Sequence, residues 1–151
     1  MDRKSFKLPF KKSKTPDWIC PTCEKGVLRI KAGTFFMEER GPSRDHSHKA
    51  WEPEWIENVY SCLLACTNDQ CNEIVSHTGV GTIDWEYAQD ENGGYIQVYE
   101  NVFRPKFFEP HLMLFSIPEE CPKSVLDPLH DSFRLFFTVP TVKWTPESRQ
   151  Y

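Results

Sequence analysis

The sequence predicts a mainly β protein, a small α+β domain in which an antiparallel sheet carries one short C-terminal helix. Three observations predict it. Twelve prolines against seven glycines, among many β-branched and aromatic residues, favour short strands and rigid turns over a helical bundle. Asp84 to Asn101 reads as a hairpin: Trp85, Glu86 and Tyr87, a turn through Asp90 to Gly94, then alternation from Tyr95 to Tyr99. Leu129, Phe133, Phe136 and Phe137 recur at helical spacing near the C-terminus. A chain of 151 residues with 39% hydrophobic content suits one domain with a modest core.

The elements follow in order. Residues 1–16 read as a basic, disordered arm with Pro9 and Pro16 as breakers. Residues 1–14 hold six bases against one acid, a local charge of +5; the net charge is −4, so the rest of the chain carries −9. An acidic body is a poor platform for double-stranded nucleic acid, whose phosphates need a surface excess of Lys and Arg. The domain proper spans 17–137. Trp18 and Ile19 lead into Cys20, and Val27 to Met37 is a strand pair or one bent strand with Gly33 as a bulge. Arg40 to Lys49 is a loop. Ala50 to Glu57, with Trp51 and Trp55 around Pro53, is a short helical turn or a cap over the cysteine site. Ile56 to Ala65 and Asn72 to Ile83 are strands, and the apolar, proline-punctuated stretch Phe103 to Pro118 is an edge strand. Asp127 and Pro128 read as the N-cap and first residue of a helix of about ten residues, too short to stand alone. Residues 138–151, with Pro140 and Pro146, form an irregular tail.

Six cysteines carry the chemistry. No apolar run approaches the roughly 20 residues that cross a bilayer, and the basic N-terminus lacks the apolar core of a secretory signal. The expected location is therefore the cytoplasm, where disulfides are disfavoured and such a cysteine count signals metal. Cys20 and Cys23 form a CxxC hook; Cys66 and Cys71 form a second, separated by the polar, turn-forming Thr67 to Gln70. Two hooks complete a tetrahedral site with metal–sulfur distances of about 2.3 Å, so one structural zinc ion is expected on Cys20, Cys23, Cys66 and Cys71. The 42 residues between the hooks imply an inserted hairpin or loop. A redox CxxC should open a helix, whereas Gly26 to Ile30 reads as a turn and a strand. Cys62 is a rival ligand, but on a strand it lies about 13 Å from Cys66 and behaves as a small hydrophobe. Cys121 stands alone as a thiol at a helix start. His46 and His48 sit in a polar stretch that could offer imidazole ligands to the first hook, but with a second cysteine pair present they read as a flexible loop.

Recognisable catalytic sets fail on spacing. No Glu-x-Lys of a metal-dependent nuclease and no His-x-Glu of a zinc deaminase occurs. Asp84, Glu86, Asp90 and Glu91 cluster at a hairpin where solvated acids are the default, and His77 has no triad partner. Four thiolates would also fill a zinc ion's coordination sphere and leave no position for water. The chain is not expected to be an enzyme.

The order Asp17 to Cys23, Ser61 to Val75 with its two cysteines, Phe103 to Pro110, Ile117 to Pro122 and Ser132 to Phe136 resembles the N-terminal zinc-ribbon portion of the bacterial "domain of unknown function 4145" proteins, over about Pro16 to Phe137. The resemblance implies a zinc ribbon on the four cysteines named above and a restriction or phage-defence context. Relatives in that family continue into a helical domain. Here the chain runs from Thr138 to Tyr151 instead, which implies a stand-alone or truncated form.

Two functions are expected. The first is a non-catalytic zinc ribbon that binds a protein partner or its own copy through Phe107, Phe108, Phe136 and Phe137, with Leu112 to Phe115 beside them, as uncovered apolar patches do. The second is binding of single-stranded nucleic acid through Lys11, Lys12 and Lys14, with Trp18, Trp51, Trp55 or Trp85 as stacking platforms.

Overall fold

The computed structural model describes residues 3–139. The expectation of an irregular tail lies outside the described residues from position 140 onward. The protein is mainly β: among the described residues, one curled antiparallel sheet with a single α-helix packed on it. Strands β1 (Leu28–Ile30) and β2 (Phe36–Glu39) share one edge of β3 (Glu57–Cys66). β3 pairs with β4 (Ile74–Gln89), and β4 with β5 (Tyr95–Glu109). The expected Val27–Met37 segment is thus a strand pair, with Gly33 in the turn between its halves rather than at a bulge. Short 3-10 turns occupy Arg3–Lys7, Gly41–Ser43 and Pro53–Trp55.

Alternation decides which face is inside. On β3, Asn58, Tyr60, Cys62 and Leu64 point inward while Glu57, Val59, Ser61 and Leu63 face solvent. β4 continues the inner face with Val75, His77, Gly79 and Gly81. On β5 the register shifts opposite Thr78 and Gly79, so Phe103 and Pro105 point inward before the irregularity and Phe108 after it. Phe107 is turned outward by the same step. Gly79 permits this close passage, because a Cβ there would sit 2.2 Å from the Arg104 carbonyl oxygen and 2.7 Å from the Tyr60 hydroxyl.

The concave face is covered by the N-terminal segment and the helix. Residues 3–16 are not a disordered arm. Phe6 and Phe10 are buried, and Phe10 exchanges two backbone hydrogen bonds with Phe103, each 2.8 Å. The indole N–H of Trp18 donates to the Phe6 carbonyl at 3.1 Å. Burying these rings outweighs the preference of a basic run for solvent, since the lysine heads stay outside while the aromatic residues turn in. Helix α1 (Lys123–Thr138) starts after Pro122, five residues earlier than expected, and carries Pro128 inside it rather than at its first position. The first acceptor it needs is found at Pro122, whose carbonyl takes the amides of Val125 and Leu126. Phe133 and Phe137, four residues apart, bury one face of α1, with Phe137 against Phe108 at 4.8 Å. Among the described residues, no helix is long and apolar enough to cross a membrane.

At the centre of the core His77 is fully committed. One ring nitrogen pairs with the Tyr60 hydroxyl at 2.9 Å, the other with the Phe107 carbonyl at 2.9 Å, and the ring stacks on Phe108 at 4.2 Å. Burial holds its imidazole down to about 4 from 6.5. As pH falls from 6.5 towards 4, the unfolded chain therefore takes up a proton that the folded chain refuses, and stability declines by up to about 3 kcal/mol. Above pH 6.5 the loss is absent. Urea midpoints across this range should fall less steeply for His77→Gln than for the parent chain; equal slopes would show that His77 is not the group.

Candidate metal centre

The two cysteine hooks are built alike. In the first, Ile19 bridges Val27, the Cys20 amide donates to the Gly26 carbonyl at 2.9 Å, and the Glu24 amide donates to the Cys20 carbonyl at 3.0 Å. In the second, the amides of Cys71 and Asn72 both donate to the Asn68 carbonyl, at 2.9 and 3.2 Å. The residue after each second cysteine takes a left-handed backbone, with φ of 52° at Glu24 and 53° at Asn72. The hooks are then knitted together. The Thr67 amide donates to the Val27 carbonyl at 2.9 Å, the Val27 amide to the Thr67 hydroxyl at 3.1 Å, and the Thr22 hydroxyl to the Glu73 carboxylate.

This scaffold brings Cys20, Cys23, Cys66 and Cys71 together, with all four sulfurs within 4.8 Å of one another. Cys20 lies 3.8 Å from Cys71 and Cys23 lies 3.7 Å from Cys66. A disulfide needs about 2.05 Å, so these are free thiols. Four sulfurs about 2.3 Å from a central ion at tetrahedral angles would stand about 3.8 Å apart, so the set fits a metal ion. Cys20, Cys23, Cys66 and Cys71 would hold it. It is the sole such group of His, Cys, Asp and Glu side chains among the described residues.

Backbone amides already favour thiolate. Gly26 N–H points at Cys23 Sγ at 3.4 Å and Asn68 N–H at Cys66 Sγ at 3.4 Å. Amide donors from Gly26 and Lys25 draw the Cys23 thiol down to about 6, while burial pushes the Cys66 thiol up to about 12. Four negative sulfurs at this spacing repel one another, and a bound cation reverses that by deprotonating each thiol it coordinates.

Gly26 is the functional residue that spacing arguments passed over. A Cβ on it would lie 2.4 Å from Cys66 Sγ and 3.0 Å from the Asn68 backbone, so only glycine lets the hooks close. Its signal was present in the sequence, three residues beyond Cys23. Gly26→Ala keeps the N–H but drives a methyl against Cys66 Sγ, and should weaken metal binding by about 10- to 100-fold, the usual scale for a disturbed ligand support, measured by competition against a chromogenic chelator.

The remaining cysteines and histidines stay out of the cluster. Cys62 is buried on β3, and burial pushes its thiol up to about 11. Cys121 lies just before α1. His46 contacts the Glu39 carboxylate at 2.8 Å, and His48 packs beside Trp55.

The two expected contact sets are corrected. Phe108 and Phe137 are buried against each other, Phe136 is half-buried beneath the Lys7 ammonium, and Leu112 is buried. Only Phe107 of the four partner phenylalanines is exposed, because the register shift in β5 and the docking of α1 consume the others. On the nucleic-acid side Trp18 is fully buried between Phe10 and Phe108 and offers no stacking face. Lys11 is bound to Glu86 at 3.2 Å and to Glu100, while Lys12 lies over Phe35 at 4.8 Å.

No curated protein and no solved structure matches the chain. The resemblance to the domain of unknown function 4145 proteins does not stand, and the restriction or phage-defence context that rested on it goes with it. A different family model, described as "Domain of unknown function (DUF8608)", matches residues 8–108, which include all four clustered cysteines, and the chain belongs to that family.

Proposed function

We propose that the protein is a non-catalytic module in which one zinc ion staples the sheet and an exposed aromatic face of the sheet holds another polypeptide. Four sulfurs and no carboxylate or water-bearing position favour zinc, which takes thiolates tetrahedrally and has no redox chemistry to perform. A closed four-thiolate shell is the structural kind. The six free cysteines fit a reducing compartment, and we place the protein in the cytoplasm.

The observation that carries the reading is the far end of the long hairpin. β3 stops opposite Thr82, yet β4 and β5 run on as a two-stranded ribbon to Gln89 and Tyr95. In its register Trp85 faces Tyr99 and Gln89 faces Tyr95, which puts Trp85, Tyr87, Tyr95 and Tyr99 on one side, all exposed. Large exposed aromatics gathered on one face mark protein contacts. Nucleic acid fits this ribbon poorly, since its tip carries Asp90 and Glu91 and its residues 84–99 include no lysine or arginine.

A photo-crosslinking residue in place of Tyr87 tests the reading. Irradiation in cells should give an adduct to a second polypeptide. The absence of any adduct, or one to nucleic acid alone, would overturn it.

A further inference from the structure

The ribbon's aromatic face is the core face of the sheet carried past its cover. Along β4 the inward positions Gly79 and Gly81 lead on to Ile83, Trp85 and Tyr87; along β5 they lead back from Phe103 through Asn101 to Tyr99. At the junction a groove of about 800 Å³ opens, lined by Phe35, Met37, Tyr99 and Phe103 and flanked by Lys11 and Lys12. The opposite face of the ribbon is mixed: Asp84 stands opposite Glu100 and Glu86 opposite Val98, with Lys11 tied to both glutamates, and Ala88 stands opposite Ile96. The tip carries Asp90 and Glu91. A two-stranded ribbon with nothing on its apolar face is marginal in water.

We propose that a second copy of this chain covers it, two ribbons packing aromatic face to aromatic face and antiparallel, so that each tip reaches the groove of the other copy. This rests on the polypeptide-holding function above and names its partner.

Three features select a second copy. The first is charge. Antiparallel pairing leaves Asp84, Glu86 and Glu100 on the two outer sides and sets the acidic tip of each copy beside Lys12 and Lys14 of the other. Neither of those lysines has a carboxylate partner among the described residues.

The second is length: Ile83 to Gln89 spans about 20 Å at roughly 3.3 Å per residue, enough to carry a tip from one junction to the next. The third is area. Trp85, Tyr87, Tyr95 and Tyr99 are 41%, 67%, 73% and 45% exposed. At roughly 200 Å² for each aromatic side chain they offer about 450 Å² per copy. Two faces bury about 900 Å² before Gln89, Gln97 and the tips are counted, next to the roughly 1,000 Å² where specific interfaces begin. Every contact occurs twice under two-fold symmetry.

Sedimentation equilibrium of the zinc-loaded full chain across a wide concentration range tests this. The mass should rise from 17.7 kDa to twice that value. Tyr87→Ser with Tyr95→Ser should hold the chain at monomer mass with its metal content and far-UV circular dichroism unchanged. Glu91→Lys should weaken the dimer about fivefold, the worth of two modest rim ion pairs. Adding Lys12→Glu to that chain should restore it. A chain monomeric at every concentration overturns the proposal, as does a dimer indifferent to the double tyrosine variant. Single-stranded oligonucleotide binding that quenches Trp85 in a monomer overturns it too. A monomer whose Tyr87 crosslinks to a polypeptide of another mass sinks self-pairing alone; no adduct sinks the underlying reading as well.

Discussion

Cys20→Ser and Cys71→Ser should each abolish metal binding at the four-cysteine cluster and, with it, the cooperative unfolding transition. The reason is the scale of the staple. Apparent binding free energies of structural zinc run to roughly 10 kcal/mol or more, and a domain of this size has about 5–15 kcal/mol of total stability. The four sulfurs lie within 4.8 Å of one another at the end of the sheet, a crowding that a central cation offsets and that a lost ligand leaves uncompensated. β1 has only three residues, paired to the last three of β3, so the strand that carries the first hook has little else to hold it. Elemental analysis and a thermal melt read the two effects together. Cys62→Ser is the control: its thiol is buried among apolar groups and outside the cluster, so the cost is that of one buried polar group, about 1–3 kcal/mol, with metal retained. A Cys62→Ser chain that loses metal while Cys66→Ser keeps it would overturn the ligand assignment.

The four-cysteine cluster was legible because its information is local. Each hook needs two cysteines and a turn, and Cys20-Pro21-Thr22-Cys23 and Cys66 to Cys71 spell that out within a few residues. β3 was legible for the same reason: one buried face forces a strict alternation from Asn58 to Leu64. What failed depended on partners distant in sequence. Alternation turns one of Phe107 and Phe108 in and the other out, but a register shift against β4 decides that it is Phe108 that goes in. The N-terminal segment looks like a solvated tail because six bases dominate its composition, while its placement is decided by Phe6 and Phe10 meeting Trp18 and Phe103. α1 starts early because Pro122 supplies the first carbonyl, and Pro128 costs a bond that Phe133 and Phe137 offset by burial.

Trp18→Ala should lower the unfolding free energy by about 3–5 kcal/mol, the usual cost of emptying a buried Trp or Phe site. Three things are lost at once. The ring meets Phe10 at 5.1 Å, His77 at 5.2 Å and Phe108 at 5.3 Å, so its removal leaves a void where the N-terminal segment, β4 and β5 converge. Its N–H bond to the Phe6 carbonyl disappears, leaving a buried acceptor unpaired. The N-terminal segment then keeps the Phe6 and Phe10 rings and Phe10's two bonds to Phe103, but loses the ring and the hydrogen bond that hold them together. Trp18→Phe keeps the aromatic contacts and should cost markedly less, nearer the roughly 1 kcal/mol of the missing hydrogen bond. Metal content should survive both changes, because the backbone of Trp18, not its side chain, accepts the bond from Leu28 that closes the first hook. Urea titration of the zinc-loaded variants separates the cases. If Trp18→Ala costs under about 1 kcal/mol, well below the range for core aromatics, then residues 3–16 are not the lid of this core, and the basic segment is free to do something else.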